Sequence, residues 1–172
     1  EKAAQLFARD GYDGTSLSDL ASACGVSKAL LYHYCANKEE LLDDIIGQHL
    51  SDLLDVVRAA DDRAAAPENR LRRLAGALLE AYRDADSKHK IQINDLARLP
   101  HDKQERLKNM ERELVAIFSD AIIALNPAIA TQRELLRPMT MSLFGMLNWH
   151  YLWFKPGKGL SREDYANMAA SL

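Results

Sequence analysis

Between Lys38 and Asp61 the chain has no proline and sets Leu42, Ile45, Ile46, Leu50, Leu53, Leu54 and Val57 at steps of three and four. That spacing lays one apolar stripe along a long helix, and such a stripe must be buried against other helices. Breakers are scarce elsewhere too. The 8 glycines and 5 prolines gather at a few places, so they punctuate helices rather than bound many short strands. The pattern predicts an all-α chain of about nine helices and no strand.

The punctuation places the helices. Gly11 stops the first, whose apolar pattern (Ala3, Ala4, Leu6, Phe7) is already running at Glu1, so this helix reads as truncated. Ser16 caps the second, with Asp19 three residues on. Gly25 breaks the chain, Ser27 caps the third, and Asn37 caps the long fourth, with Glu40 in the reciprocal position. Pro67 fits the first turn of a fifth helix running to about Asp84. A short sixth helix is expected over 87–99. A seventh follows Pro100 and ends at Asn126-Pro127. Thr131 is expected to cap the eighth, which Pro138 should bend, and Ser161 the ninth.

No run of about 18 uncharged apolar residues exists to span a bilayer. Two cysteines, Cys24 and Cys35, lack a metal-ligand spacing and fit a reduced, cytoplasmic protein with no membrane partner. The five histidines never recur with ligand spacing, and no glycine-rich phosphate loop is present. Catalysis, metals and cofactors are therefore not expected. The net charge of -3 is awkward for a nucleic-acid binder, and residues 1–50 carry Lys2, Arg9, Lys28 and Lys38 against twice as many acids. Distribution matters more than the sum: residues 27–38 hold Lys28, His33 and Lys38 and no acid.

The most informative segment spans residues 15–34. Ala21 is small where two helices must cross closely, Gly25 permits a positive φ, and Leu20, Val26 and Leu31 can form a small core. Lys28, Ala29, Leu30, Tyr32, His33 and Tyr34 are left facing out, an odd surface for a short helix unless something binds there. A short second helix after a tight turn suits the major groove of double-stranded DNA. Its N-terminus can meet a phosphate, and lysine and tyrosine side chains can add backbone contacts.

The stretch from Leu6-Phe7 to Leu42, with GY, TS, LA, GVSK, LYHY and NKEELL in order, resembles the tetracycline-repressor (TetR) family. The resemblance implies a small DNA-binding domain (1–37) and a larger effector-binding, dimerising domain (38–172). It implies a homodimeric repressor on a palindromic operator, released by a small-molecule effector. It also puts Ser16 and Ser18 near phosphates, Ser27 among the DNA-binding residues, Lys28, Ala29 and Leu30 toward bases, and Tyr32, His33 and Tyr34 on backbone and groove. Lys38 falls where the fourth helix starts against a phosphate. Ala29-Leu30 replaces the more usual Gly-Thr, so Leu30 would touch a thymine methyl instead. Cys35 stands in place of a large aromatic, which changes packing beneath the third helix.

In the second half, residues 139–154 are apolar nearly all round, which calls for cover on more than one side. Ser142 and Gly145 permit close approach, so the eighth and ninth helices of two copies are expected to form the dimer interface. The segment FGMLNWHYLWFKPGKGLSREDYA is similar to the family branch that regulates fatty-acid, phenylacetate and steroid catabolism, which points to an acyl-CoA effector. An effector site among helices five to eight would draw on Tyr82, Ile93, Asn94, Met110, Leu114, Phe118, Met146, Asn148 and Trp149. Lys88, His89, Lys90 and Arg98 would meet the coenzyme A phosphates. The fourth helix would carry the effector signal to the DNA-binding domain. A multidrug-sensing repressor and an architectural DNA binder without a ligand are the alternative readings.

Overall fold

The computed structural model describes residues 1–155 and 157–171, and all their side chains except that of Arg133. The expected helices are present in order: α1 (Lys2–Asp10), α2 (Leu17–Cys24), α3 (Lys28–Tyr34), α4 (Lys38–Ala60), α5 (Pro67–Ala81), α6 (Asp86–Asp95), α7 (His101–Leu125) and α8 (Arg133–Asn148). A break at Trp149 then sets off the single turn α9 (His150–Trp153), and α10 (Arg162–Ala169) corresponds to the ninth helix expected from the sequence. Among the described residues there is no strand beyond an isolated bridge between Lys155 and Lys158. Among the described residues no helix is long and apolar enough to cross a membrane.

Several boundaries differ from expectation for local reasons. α5 stops at Ala81 because Asp84 turns left-handed, with φ 59°. The sixth helix tightens into a 3-10 turn, Leu96–Arg98, and Leu99 is extended because a proline follows it. Thr131 does not cap the eighth helix. Pro127 opens a 3-10 turn, the Thr131 hydroxyl donates to the Ala128 carbonyl at 2.8 Å, and α8 begins after Gln132.

The chain forms two compact units, and the division falls inside α4 and α7. The first unit contains Glu1–Ser51 and Asp84–Asn109. In it α1 packs on α2 and α6 and buries Ala3, Ala4, Leu6 and Phe7. The Lys90 ammonium holds this packing by donating to the Ala8 carbonyl at 2.6 Å. Leu42, Ile46 and Leu50 of α4 are fully buried here, each contributing roughly 1.5–3 kcal/mol.

The second unit contains Asp52–Arg83 and Met110–Leu172. Here α10 packs on α5 and α8, and Phe118 meets Phe144 edge-on at 4.9 Å. Arg70, only 4% exposed, donates to Asp61 at 2.6 Å and to Asp120 at 2.8 Å. This ties α5 to the end of α4 and to α7 through a charge that would be costly to bury alone.

Candidate nucleic-acid interface

The first unit builds its exposed face around two capped helices. The Ser16 hydroxyl accepts from the Asp19 N–H at 3.1 Å, and the Asp19 carboxylate accepts from the Ser16 N–H at 2.9 Å, completing a capping box. The Ser16 hydroxyl, which also donates to this carboxylate, and secondarily the Ser16 N–H keep the Asp19 carboxyl below its ordinary range. Gly25 sits left-handed at φ 73°, and its N–H donates to the Ala21 and Ser22 carbonyls. The chain can then reverse within two residues, and Ser27 caps α3 through the Leu30 N–H at 3.1 Å.

α3 buries Leu31 alone. Cys35 just beyond it is also buried, its thiol against the Leu31 carbonyl. Lys28, Ala29, Leu30, Tyr32, His33 and Tyr34 are all exposed, Tyr34 to 76%. The His33 and Tyr34 rings meet edge-on at 5.7 Å. Ser16, Ser18 and Ser27 are exposed on the same two helices and their caps.

Lys38 is placed differently from the other basic residues of this region. Its ammonium donates to the carbonyls of Tyr12 at 2.7 Å and Thr15 at 3.0 Å and lies 4.2 Å from the centre of the Tyr12 ring. It ties the start of α4 to the loop before α2. The sequence marks Tyr12 only as the second residue of the GY pair that follows α1, with no role attached to its ring.

Four of the eight acids of the first fifty residues form ion pairs within the unit. Asp10 pairs with Arg9, Asp13 with Arg98, and Asp43 with Arg106 and Lys103. Glu39 also meets Lys103, and Glu40 accepts from the Ala36 N–H at 2.7 Å. These acids are engaged with partners, while Lys28 has no ion-pair partner among the described residues.

The residues expected around an effector divide between the units. Tyr82, Met110, Leu114, Phe118, Met146, Asn148 and Trp149 belong to the second, and Ile93 and Asn94 are exposed residues of the first. Inside the second unit the buried Tyr82 hydroxyl donates to the Asn148 side-chain carbonyl at 2.8 Å, and burial pushes that hydroxyl's pKa well above its ordinary value. Leu114 and Phe118 are buried, Met110 and Met146 half-buried, and Trp149 is half exposed. Lys88, His89 and Lys90 do not form one exposed basic group. His89 is buried with its ring 6.0 Å from that of His49, Lys90 is committed to α1, and Arg98 pairs with Asp95 and Asp13.

Residues 1–45 match the family described as bacterial regulatory proteins, tetR family, and residues 64–172 match the tetracyclin repressor-like C-terminal domain. The chain belongs to the TetR family. Members of this family are DNA-binding transcription factors rather than enzymes. The TetR-family chain is 37% identical over 81 residues to the HTH-type transcriptional repressor KstR2 of Mycobacterium tuberculosis, an overlap of 47% of this chain and 40% of that protein's length. A TetR-family regulator from Bordetella parapertussis 12822 superposes with a TM-score of 0.92 at 36% identity, covering 99% of this chain and 88% of the other. AibR, solved in complex with isovaleryl coenzyme A and operator DNA, superposes with a TM-score of 0.81 at 29% identity, covering 100% and 94%.

Proposed function

We propose that this chain is a homodimeric transcriptional repressor that reads a palindromic operator with α3 and leaves it when an acyl-CoA thioester binds the second unit. The observation that carries the DNA reading is the exposed row of Lys28, Ala29, Leu30, Tyr32, His33 and Tyr34 on a helix anchored by Leu31 alone. In this reading Ser16, Ser18, Ser27 and the tyrosines meet phosphates, Lys28, Ala29 and Leu30 face bases, and Lys38 props α4 behind them. Operator half-sites lie roughly 34–36 Å apart, so two copies must present their α3 helices at that spacing.

The dimer reading, through α8 and α10, is supported by large apolar side chains exposed on α8 and on the stretch that leads to α10: Leu135, Met139, Met141, Trp149, Leu152 and Trp153. The effector reading is supported by the hydrogen bond from the buried Tyr82 to the half-buried Asn148, in a unit whose other expected contacts are apolar. It is also supported by the likeness to AibR, solved with isovaleryl coenzyme A and operator DNA.

Sequence selection from random duplexes tests the base-reading role. Leu30→Ala should change the preferred bases while the salt dependence of binding stays the same. Identical selected sequences from parent and variant would refute it. A gel shift across a series of acyl-CoA chain lengths, with free coenzyme A and free acids as controls, tests the effector. Release should strengthen with chain length at roughly 0.8 kcal/mol per buried CH₂, and Tyr82→Phe should weaken it. Release by none of the thioesters would remove the effector class and leave the DNA reading standing.

A further inference from the structure

A cluster of rings closes one end of the second unit. α9 is a single turn and cannot hold itself. Its His150 is 2% exposed, stacks on Phe154 at 4.2 Å, and meets Tyr165 of α10 at 5.0 Å and Trp153 at 5.2 Å. Phe154 opens the loop between α9 and α10, and Arg162 begins α10 with its guanidinium 4.5 Å from the centre of the Phe154 ring. Tyr165 carries the contact onward, because its hydroxyl donates to the Met146 carbonyl of α8 at 3.0 Å. The imidazole therefore sits where the turn, the loop and α10 meet.

This cluster suits a neutral ring. The His150 Nε2 is buried and has no hydrogen-bond partner. An imidazolium carries an N–H on both nitrogens, so protonation would leave a charged donor buried with nothing to accept from it. No carboxylate forms an ion pair with the ring among the described residues. On α10, Asp164 accepts from the Ser161 hydroxyl at 2.6 Å and Glu163 is exposed. The loop adds the exposed cations Lys155 and Lys158, and the C-terminal half of α8 has no charged residue. The charge that reaches the ring is that of Arg162, which repels a proton; burial first, and this charge second, hold the imidazole below its ordinary 6.5.

We infer that His150 is a proton-operated latch: neutral, it keeps α9 and the loop after it shut against α10, and protonated, it lets them open. The stretch under its control holds Leu152 and Trp153, 64% and 54% exposed. Opening therefore also disturbs the apolar surface on which two copies are proposed to meet. That second effect rests on the dimer reading; the latch itself does not.

Hydrogen exchange of the full chain, read by mass spectrometry and corrected for the intrinsic effect of pH, tests the latch. From pH about 7.5 to about 5, protection of residues 150–165 should fall by at least about tenfold while that of α5 holds. His150→Phe keeps the stack and cannot titrate, so its protection should be the same at both ends of the range. Arg162→Gln removes the like charge, so its loss of protection should begin at a higher pH than the parent's. A role in packing alone would not move that midpoint upward. Constant protection in the parent, an equal loss in His150→Phe, or an Arg162→Gln midpoint at or below the parent's would each overturn the latch. Sedimentation over the same range reads the second effect. The parent dimer should dissociate at least about tenfold more readily at the lower pH, and the His150→Phe dimer should not. A parent that is monomeric throughout would remove the dimer reading and the effect on association, and the exchange result would still decide the latch.

Discussion

Lys38 shows how a charged residue at a motif position can serve the scaffold. With its ammonium on two carbonyls and against an aromatic face, Lys38→Met should cost about 1–3 kcal/mol in chemical denaturation. The slope of DNA affinity against salt should stay at the parent's value, because an ammonium held in the loop before α2 is kept away from the phosphates. His150 is a second such case. Its ring is buried, stacks on Phe154 at 4.2 Å and touches Trp153 and Tyr165. Burial, and secondarily the charge of Arg162, hold its pKa below the ordinary 6.5. The unfolded chain therefore takes up a proton near 6.5 that the folded chain resists. This contribution to stability is complete above 6.5 and is lost as pH falls below it. His150→Phe should flatten the dependence of melting temperature on pH below 6.5. A variant whose curve parallels the parent's there would show that His150 is not the titrating group.

Among the elements, α2 and α3 depend on their ends more than on their length. Neither is long enough to stand in isolation, so caps and tertiary packing must hold them. Ser16→Ala removes one side of the capping box and should cost about 1 kcal/mol. Gly25→Val puts a β-branched residue at φ 73° and should cost more than the cap does. Urea unfolding of the two variants checks the order. Equal stability of Gly25→Val and the parent would mean that the turn does not require the left-handed conformation. α8 is shaped differently: it continues through Pro138 and buries Thr140, whose hydroxyl lies 2.9 Å from the Leu136 carbonyl and 3.0 Å from the Ser119 hydroxyl. A polar side chain is thus satisfied inside an apolar helix pair.

For the whole molecule the main expectation is self-association. A Cβ at Gly145 meets nothing within 4 Å in a single chain, so a side chain there is tolerated by the chain itself. Gly145→Asp would place an unpaired carboxylate between two copies, which costs several kcal/mol. Sedimentation at micromolar concentration should give a dimer for the parent and a folded monomer for Gly145→Asp. A parent that sediments as a monomer would remove the dimer and, with it, two-fold reading of an operator.

Local chemistry explains which features could be read from residues alone. Caps, stops and stripes act within a few residues, so Ser16, Gly25, Ser27 and Pro67 mark helix ends wherever the helices lie, and the α4 stripe declares its buried face. The outward row of α3 was legible for the same reason: Leu31 is its one inward apolar residue, and a helix's period assigns the rest to the other side. Long-range partners were not legible, because a side chain's use depends on what folding brings to it. Lys38 meets residues 23 and 26 positions away, Lys90 a carbonyl 82 away, and Arg70 a carboxylate 50 away. A burial pattern cannot tell a solvated basic cluster from one that includes a buried histidine, so the grouping of Lys88, His89 and Lys90 dissolved once α6 packed on α1. Likewise the ring cluster around His150 exists only because α10 folds back on the end of α8. The sequence by itself determined the helices and their ends; the tertiary structure alone decided which charges were spent on the scaffold and which, as at Arg162, were left without a counter-charge among the described residues.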